Sequence, residues 1–362
     1  MSMVINGTSG ITFPDGSLQG IGVGRRNLII NGAMQVNQRG DVSASGSGGY
    51  YCCDRYSIRQ SGGYLNSLTF DVTQETGGPN GFKNYYQLKT LAGDTPSGDE
   101  TGSVRYVVED KDIENFGFGT SDAKAFTLSF WVKASVAGTY SVGFVASGGD
   151  YSYVAEYTIS SADTWEYISI SVPAPTSGTW SSSGAGMQIH WNVAGASGGA
   201  YGTTSGSWVA ADKRYSNNQV NNTATANNTF NFTGVQLEVG TVATPFEHRS
   251  YGEELALCQR YFQKSSRSGF LLGRGNGSTN VADVPVNLST PMRATPTGAV
   301  TTGNWYAIGS SFYTSGTGAA FQQIDTTSDS HLTIGIANLS GIIDNRITGV
   351  SFYSGYTLDA EL

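Results

Sequence analysis

The chain has 362 residues, of which 49 are glycine and only 13% are charged, and its formal net charge is −8 at pH 7. This acidic balance argues against a nucleic-acid-binding protein, because such proteins carry a surplus of Lys and Arg to contact phosphates. No apolar run approaches the ~18 residues of a membrane-spanning helix, so membrane insertion is not predicted.

Residues 1–25 are weakly apolar and punctuated by glycine. The segment Ile11-Thr12-Phe13-Pro14-Asp15-Gly16 predicts a short strand followed by a Pro-Asp-Gly turn. So small a segment cannot bury enough apolar surface to fold alone. We therefore expect an arm that docks on another protein or pairs with copies of itself.

Residues 26–248 contain one segment after another in which apolar and polar side chains alternate. Phe126, Leu128 and Phe130 alternate with Ser129 and Trp131, for example. The same period of two recurs at 140–144, 151–159, 166–172, 187–193 and 230–237. A shift of the apolar phase at Gly234 predicts a β-bulge in the last of these segments. Repeated strands with one buried face and frequent turn residues predict an antiparallel sandwich of the jelly-roll type.

One helix follows this region. Ser250 and Glu253 form a capping box, and apolar side chains then recur on one helical stripe that runs about four turns, to Lys264: Tyr251, Leu255, Cys258 and Phe262. Strand patterns return after it. We predict an all-β protein, with an antiparallel jelly-roll sandwich, then one short helix, then a smaller C-terminal β domain. The predicted divisions are an arm at 1–25, the jelly roll at 26–248, the helix at 249–265 and the last domain at 266–362.

Residues suited to catalysis or metal binding are sparse. The three cysteines form no CxxC motif and no cluster with histidine, which gives no support for zinc. The segment from Asp110 to Glu114 offers oxygen ligands for a structural calcium ion, but it lacks the glycine and distal glutamate of an EF-hand loop. A solvated turn is the alternative there. No pair of carboxylates stands out for glycan cleavage, so no cofactor and no catalytic residue is predicted.

Aromatic rings outside the apolar pattern are the candidates for a binding site. Trp131 lies on the polar side of its strand, while Trp180 and Trp208 lie in segments rich in Ser and Gly. Exposed flat rings stack on the CH faces of sugars, and nearby amides bond to the hydroxyls. The alternative for each ring is packing under a loop or between subunits. The predicted glycan-binding residues are Trp131, Trp180, Trp208, His190, Gln188 and Asn192.

Segments spread along the whole chain resemble bacteriophage tail fibre proteins. They include the leader Gly10–Gly16 and the long segment Arg26-Asn27-Leu28-Ile29-Ile30-Asn31-Gly32-Ala33-Met34-Gln35-Val36-Asn37-Gln38-Arg39-Gly40. The others are Asp54–Tyr56, Phe126–Ala134, Val235–Gly240, Ala243–Glu247, Arg249–Leu255, Cys258–Tyr261, Pro291–Pro296 and Asp359–Leu362.

The resemblance implies a jelly-roll domain similar to carbohydrate-binding modules, on a homotrimeric receptor-binding protein of the virion tail. The leader would attach to other tail or baseplate proteins, and the distal part would contact polysaccharide or lipopolysaccharide on the host. Assembly in the host cytoplasm and binding without catalysis are expected. The alternatives are a tailspike depolymerase that cleaves the glycan and a tail adaptor without receptor contact. The family supplies no shared set of ligand residues, so none is carried over.

Overall fold

Antiparallel β-structure dominates the protein, as the sequence predicts. The computed structural model describes residues 4–6, 10–12, 18–19, 26–62, 68–180, 184–265, 269–275, 282–300, 305–308, 313–316, 320–328, 331–337, 347–352 and 356–362. Among them, helix is confined to α1 (Asp110–Ile113), a 3-10 turn (Glu114–Phe116) and α2 (Tyr251–Gln259). None of these helices is long and apolar enough to cross a membrane.

The strands are numbered in chain order. They are β1 (Val4–Asn6), β2 (Gly10–Thr12), β3 (Leu18–Gln19), β4 (Val42–Ser45), β5 (Gly49–Tyr50), β6 (Tyr56–Ser61), β7 (Thr69–Thr76), β8 (Asn84–Ala92), β9 (Thr101–Glu109), β10 (Phe126–Ala134), β11 (Gly138–Ala146), β12 (Ser152–Ile159), β13 (Glu166–Val172), β14 (Ala185–Gly195), β15 (Gly202–Thr203), β16 (Trp208–Val209), β17 (Tyr215–Ser216), β18 (Thr229–Val239), β19 (Phe262–Ser265), β20 (Gly269–Gly275), β21 (Ala282–Asn287), β22 (Thr297–Val300), β23 (Trp305–Ile308), β24 (Tyr313–Gly316), β25 (Ala320–Ser328), β26 (His331–Ala337), β27 (Ile347–Phe352) and β28 (Tyr356–Asp359).

Two sheets form the jelly-roll sandwich. The six-stranded sheet has the order β13-β10-β18-β8-β7-β4, and the seven-stranded sheet has the order β16-β12-β11-β14-β9-β6-β5. The side chains predicted to face inward fill the space between them. Phe130 of the first sheet meets Trp191 of the second edge to face, with ring centroids 6.0 Å apart, and Phe232 stacks on the same indole at 5.3 Å. The alternation read from the sequence therefore marks the core correctly.

The predicted β-bulge is present in β18. Ser129 lies opposite Gln236 and Trp131 lies opposite Thr233, so β18 uses one extra residue between these pairs. Gly234 adopts a φ of 65°, a left-handed conformation that glycine reaches without steric cost. Because of this extra residue, the side chains of Val235 and Leu237 point into the core.

Helix α2 is shorter than the sequence predicts. Ser250 caps it as expected, since its hydroxyl accepts a hydrogen bond from the main-chain N–H of Glu253 at 3.3 Å. The helix ends at Gln259, however, and Phe262 belongs to β19, which pairs with β28. The predicted stripe was also wrong at its first position, because Tyr251 is 57% exposed. Apolar residues recur at helical spacing from α2 into β19, so the sequence pattern does not show where the helix ends. The pairing of β19 with β28 ends it.

Of the four remaining sheets, β15 and β17 form a short parallel pair against the sandwich, and the other three share no strand with it. β1, β2 and β3 form a three-stranded antiparallel sheet, which includes the strand predicted near Ile11, whereas the Pro-Asp-Gly turn lies outside the described residues. β19, β28 and β22 form a second three-stranded sheet. A seven-stranded sheet with the order β24-β23-β27-β20-β21-β26-β25 contains the C-terminal strands that the sequence predicted.

Several segments that carry the tail fibre resemblance meet in one region, here called the junction: residues 26–40, 54–55, 235–261, 293 and 359–362. Asn27 donates its side-chain amide to the carbonyl oxygen of Val235 at 3.0 Å. Arg249 donates to the carbonyl oxygen of Ile29 at 3.0 Å and pairs with the buried Glu254 at 3.3 Å. These contacts fasten the first residues of the sandwich to its last strand and to α2.

The same junction holds the C-terminal strand. Arg55, which is 1% exposed, forms an ion pair with Glu361, and its guanidinium lies 3.4 Å from the ring centroid of Tyr261. Arg39 pairs with Asp359 at 2.8 Å. The segments at this junction therefore contribute to internal ion pairs and hydrogen bonds.

Stability should fall with rising pH because of Asp54, a fully buried carboxyl at the junction. Burial raises the pKa of Asp54 from 3.8 to about 6, although hydrogen bonds from Gln38 lower it. Between those two pH values the folded state holds a proton that the unfolded chain has released. The contribution of Asp54 to the free energy of unfolding should therefore fall by about 2.5 kcal/mol as the pH rises from 4 to 7.

Urea unfolding of the wild type and of Asp54→Asn at pH 4, 5, 6 and 7 measures this contribution. The stability of the wild type relative to the variant should decrease along this series and level off above pH 7. A difference that stays constant with pH would show that Asp54 keeps its ordinary pKa.

Candidate functional site

The outer face of the six-stranded sheet exposes a pair of aromatic rings. Trp131 on β10 lies directly opposite Tyr167 on β13, and their ring centroids are 5.4 Å apart. Tyr167 is 47% exposed and Trp131 is half-buried. Both alternate with core residues, so they project away from the sandwich interior. The structure thus leaves one predicted ring, Trp131, accessible beside a second ring.

A lysine and two further rings lie next to this pair. The ammonium of Lys133 is 5.2 Å from the ring centroid of Tyr85 and 5.0 Å from that of Trp165. The two rings meet edge to face with centroids 5.3 Å apart. Cation–π contacts at these distances hold the ammonium between the rings. We call Trp131, Tyr167, Trp165 and Tyr85 the aromatic row.

Amide groups continue the aromatic row across the sheet. Asn231 lies opposite both Lys133 and Gln87 on its two neighbouring strands. The side-chain nitrogen of Gln87 donates to the side-chain oxygen of Asn231 at 2.9 Å. Asn231 is 1% exposed and its amide is used internally, so Gln87, which is half-buried, is the amide that lies accessible beside the rings. A ring with a nearby amide is a combination that sugar recognition uses.

Sequence reasoning missed three members of the aromatic row, although a signal for Tyr167 was present. The alternation at 166–172 predicts that Ile168 and Ile170 face the core. Tyr167 alternates with them, so the same pattern predicts that its side chain faces away from the core. Trp165 precedes Tyr167 by two residues and shares its side. Tyr85 carries no such signal, because only the register of β8 brings it near β13.

Trp180 and Trp208 lie together in another part of the sandwich and pack against its core. Their ring centroids are 5.9 Å apart, and Trp208 stacks on Tyr151 at 5.4 Å with an interplanar angle of 3°. The indole of Trp208 donates to the carbonyl oxygen of Pro173 at 2.7 Å, and that of Trp180 donates to Ser177 at 3.2 Å. Both rings are half-buried, and their only polar groups are used internally. The structure supports packing under loops for these two residues.

His190, Gln188 and Asn192 lie on the outer face of the seven-stranded sheet, as their alternation predicts, but this face is covered. His190 is 2% exposed and Asn192 is 0% exposed, so neither of these predicted glycan-binding side chains is accessible on this face. Asn192 donates to the carbonyl oxygen of Arg214 in the loop of residues 196–222. That loop lies directly on β11, since a Cβ at Gly143 would be 2.2 Å from the same oxygen.

His190 is held neutral beneath this cover. Burial lowers the pKa of His190 well below its usual value, and the charges of Arg214, Arg105 and Arg59 lower it further. Its Nδ1 lies 3.0 Å from the hydroxyl oxygen of Ser103. The neutral imidazole of His190 therefore contributes packing and hydrogen bonding within this face.

A cleft of about 400 Å³ opens where the sandwich meets the sheet of β19, β28 and β22. The cleft is lined by Arg39, Tyr50, Phe262, Lys264, Thr297, Gly298, Ala299, Thr357 and Asp359. These residues come from four separate parts of the chain, so no local sequence pattern predicts the cleft. Its volume falls in the usual range for ligand sites.

The acidic segment from Asp110 to Glu114 forms α1 and the start of the 3-10 turn. Asp110 is buried, and its carboxylate accepts a hydrogen bond from the main-chain N–H of Gly184 at 3.1 Å. Within the described part of the chain, no three His, Cys, Asp or Glu side chains are grouped so that they could hold a metal ion.

Comparisons with known proteins concern the fold alone. No family model matches the chain, and no curated protein matches it. The enzymatically active domain of tailspike protein 4 from bacteriophage CBA120 is 14% identical, with a TM-score of 0.33, over 59% of this chain and 21% of the tailspike chain. This chain therefore aligns with about a fifth of that domain's length.

Two solved carbohydrate-binding modules also match. A CBM4 structure is 15% identical with a TM-score of 0.31 and covers 58% of this chain and 98% of its own. TmCBM61 in complex with β-1,4-galactotriose is 8% identical with a TM-score of 0.30 and covers 60% of this chain and 100% of its own. At such identities and scores these similarities support no argument about binding residues.

Proposed function

We propose that the protein binds glycans through the aromatic row of its six-stranded sheet and does not cleave them. The observation that carries this proposal is the accessible pair formed by Trp131 and Tyr167, with Tyr167 nearly half exposed. Aromatic rings exposed side by side are typical of a binding surface. The CH face of a pyranose would cover them.

The surroundings of the pair suit a sugar better than an apolar partner. The half-buried amide of Gln87 can bond to hydroxyl groups, whereas Asn231 is 1% exposed and uses its amide internally. Ser169 is exposed and is a neighbour of the pair in the next row of the sheet. An apolar partner would leave Gln87 and Ser169 without water, at a cost of about 1–3 kcal/mol for each buried group.

We further propose that the chain is a tail fibre or receptor-binding protein of a bacteriophage virion. The support is the resemblance of its junction segments and leader to that family. In this role a homotrimer attaches to tail or baseplate proteins through residues 1–25 and contacts host polysaccharide or lipopolysaccharide. Three weak sites about one axis raise the overall affinity through effective concentration. Light scattering tests the trimer, which should have three times the chain mass of 38.2 kDa.

The variants Trp131→Ala and Tyr167→Ala test the aromatic row on an array of bacterial surface polysaccharides. Each should weaken binding to the polysaccharide that the wild type prefers by about tenfold, because a ring contact contributes about 0.5–1.5 kcal/mol. Thermal stability should change little, since neither ring is fully buried. Trp208→Ala is the matched control, and it should lower stability through lost packing while the folded protein keeps its affinity.

Unchanged affinity in both row variants would contradict the aromatic row as the site. Absence of binding by the wild type to every polysaccharide would favour the adaptor without receptor contact. Shortened polysaccharide chains after incubation would favour the depolymerase and refute binding without cleavage.

A further inference from the structure

The cleft between the sandwich and the sheet of β19, β28 and β22 is a concave site that the aromatic row does not use. Its floor is two rows of side chains that run across this sheet: Lys264, Thr357 and Ala299, then Phe262, Asp359 and Thr297. Arg39 and Tyr50 line the cleft on the side of the sandwich. A cavity of about 400 Å³ encloses a small ligand, whereas the aromatic row offers an open sheet face.

Lys264 supplies hydrogen-bond donors that the protein itself does not use. The side chain is exposed, and its ammonium forms no ion pair or hydrogen bond with any residue in the described part of the chain. It lies directly opposite Thr357 on β28. The hydroxyl of Thr357 donates to the carbonyl oxygen of Ala299 at 3.5 Å, so its oxygen can still accept a hydrogen bond. An uncommitted ammonium therefore stands beside a hydroxyl on the cleft floor.

Asp359 supplies acceptors in the neighbouring row. Its side chain is 36% exposed, and its Oδ2 accepts from Arg39 at 2.8 Å while its Oδ1 accepts from the main-chain N–H of Glu361 at 3.0 Å. An ionised carboxylate has about four lone-pair positions, so two remain for a ligand. The exposed hydroxyl of Thr297 lies beside it and donates to the main-chain oxygen of Asp359 at 3.2 Å. Donors and acceptors thus alternate over the floor.

Arg39 contributes a wall of the cleft rather than a ligand-binding charge. Its terminal nitrogens pair with Asp359 at 2.8 Å and Glu361 at 3.4 Å, and its guanidinium lies 3.8 Å from the ring centroid of Phe262. Phe262 is therefore covered, and the half-buried ring of Tyr50 is the aromatic surface that remains on this side.

The charges that remain available favour a neutral ligand with several hydroxyl groups. An anion bound at Lys264 would face the carboxylate of Asp359, which lies on the same face of β28 two residues from Thr357. Attraction to the ammonium would then be offset by repulsion from the carboxylate. Hydroxyl groups both donate and accept, so they can bond to Lys264 and to Asp359 at the same time.

We propose that this cleft binds a neutral sugar unit. Lys264, Thr357, Thr297 and Asp359 bond to its hydroxyl groups, and Tyr50 contacts its apolar face. That the sugar belongs to a glycan rests on the proposed function, whereas the affinity of the cleft for the sugar does not. The protein then has two separate sugar sites, one open and one concave.

Ligand-observed NMR titration of the full-length protein tests the cleft with glucose, galactose, mannose, rhamnose and N-acetylglucosamine, and with glucuronate and glucose 6-phosphate as anionic probes. The wild type should bind at least one neutral sugar more tightly than either anionic probe. Lys264→Met should weaken this binding by about tenfold, because hydrogen bonds from a charged donor are lost. Ala299→Trp should abolish it, since Ala299 is an exposed residue of the cleft lining and an indole there fills the cavity.

Lys83→Met is the matched control, because it removes an exposed lysine from the turn between β7 and β8 and should bind the sugar as the wild type does. Wild-type affinity in both cleft variants, or no binding of any neutral sugar, would overturn the proposal. Preference for an anionic probe that Lys264→Met removes would overturn the neutral ligand class.

Trp131→Ala separates the cleft from the aromatic row. This variant should keep the affinity for the single sugar while it loses binding to the polysaccharide array. Loss of the single sugar in Trp131→Ala alone would place that sugar at the aromatic row and refute the cleft. Sugar binding that only the cleft variants lose, without any array binding by the wild type, would refute the function proposed for the row and leave the cleft site standing.

Discussion

Replacing Arg55 with alanine is expected to lower the free energy of unfolding by about 3–5 kcal/mol, because it leaves a buried carboxylate without its closest partner. Arg55 and Glu361 are 1% and 4% exposed at their side chains. Arg55 also donates to the carbonyl oxygen of Val107 at 2.7 Å and stacks on Tyr261. Burial alone would lower the pKa of Arg55, yet Glu361 and the neighbouring tyrosines raise it overall. The charge is therefore retained inside the junction.

Arg260→Ala is the matched control for this prediction. Arg260 also pairs with a carboxylate at the junction, Glu109, at 3.3 Å, but its side chain is 38% exposed. Solvent screens such a pair, so its loss should cost less than about 1 kcal/mol. Urea unfolding of both variants, with hydrogen exchange at residues 356–362, measures the difference. Equal stability of Arg55→Ala and Arg260→Ala would show that the Arg55 ion pair does not hold the C-terminal strand.

The second large effect is expected from Gly32→Ala, which should destabilise the protein by about 3 kcal/mol. A Cβ at Gly32 would lie 2.2 Å from the carbonyl oxygen of Val235, well inside contact distance. The carbonyl of Gly32 also accepts a hydrogen bond from Val235 at 2.9 Å, so the two segments cannot separate without losing it. Gly32 is therefore required by the close approach of the first segment to β18.

Gly252→Ala provides a control with the opposite sign. Gly252 lies in the first turn of α2, and a Cβ there would meet no atom within 4 Å. Alanine is favoured over glycine in helices by about 0.5–1 kcal/mol, so this variant should be slightly more stable than the wild type. If Gly32→Ala melts at the wild-type temperature, the segments at this contact move apart easily, and the junction is not the rigid element described above.

These two predictions concern segments that resemble tail fibre proteins, and both assign them a structural role. Asn27, Gly32, Arg55 and Arg249 join the start of the sandwich, its last strand, α2 and the C-terminal strand. Of the aromatic row, Trp131 alone belongs to one of these segments, Phe126–Ala134.

The site was only partly predictable, as Trp131 and His190 illustrate. Both residues alternate with core residues on their strands, so the sequence predicts an outward-facing side chain for each. Trp131 stays half-exposed, whereas His190 is 2% exposed on the face that the loop of residues 196–222 covers. Tyr85 gave no sequence signal, because 80 residues separate it from Trp165. Strand register brings the two rings together.

The amino-acid sequence by itself determined the sandwich strands β10 to β14 and β18, the side that each presents to the core, the bulge at Gly234 and the cap at Ser250. These features depend on alternation and on backbone preferences within a few neighbouring residues, which any reader of the chain can see. Tertiary structure alone decided where α2 ends, which outward-facing side chains stay exposed and which charges meet. Those outcomes depend on contacts between residues far apart in the chain, and the free energy of such contacts cannot be inferred from any local sequence pattern.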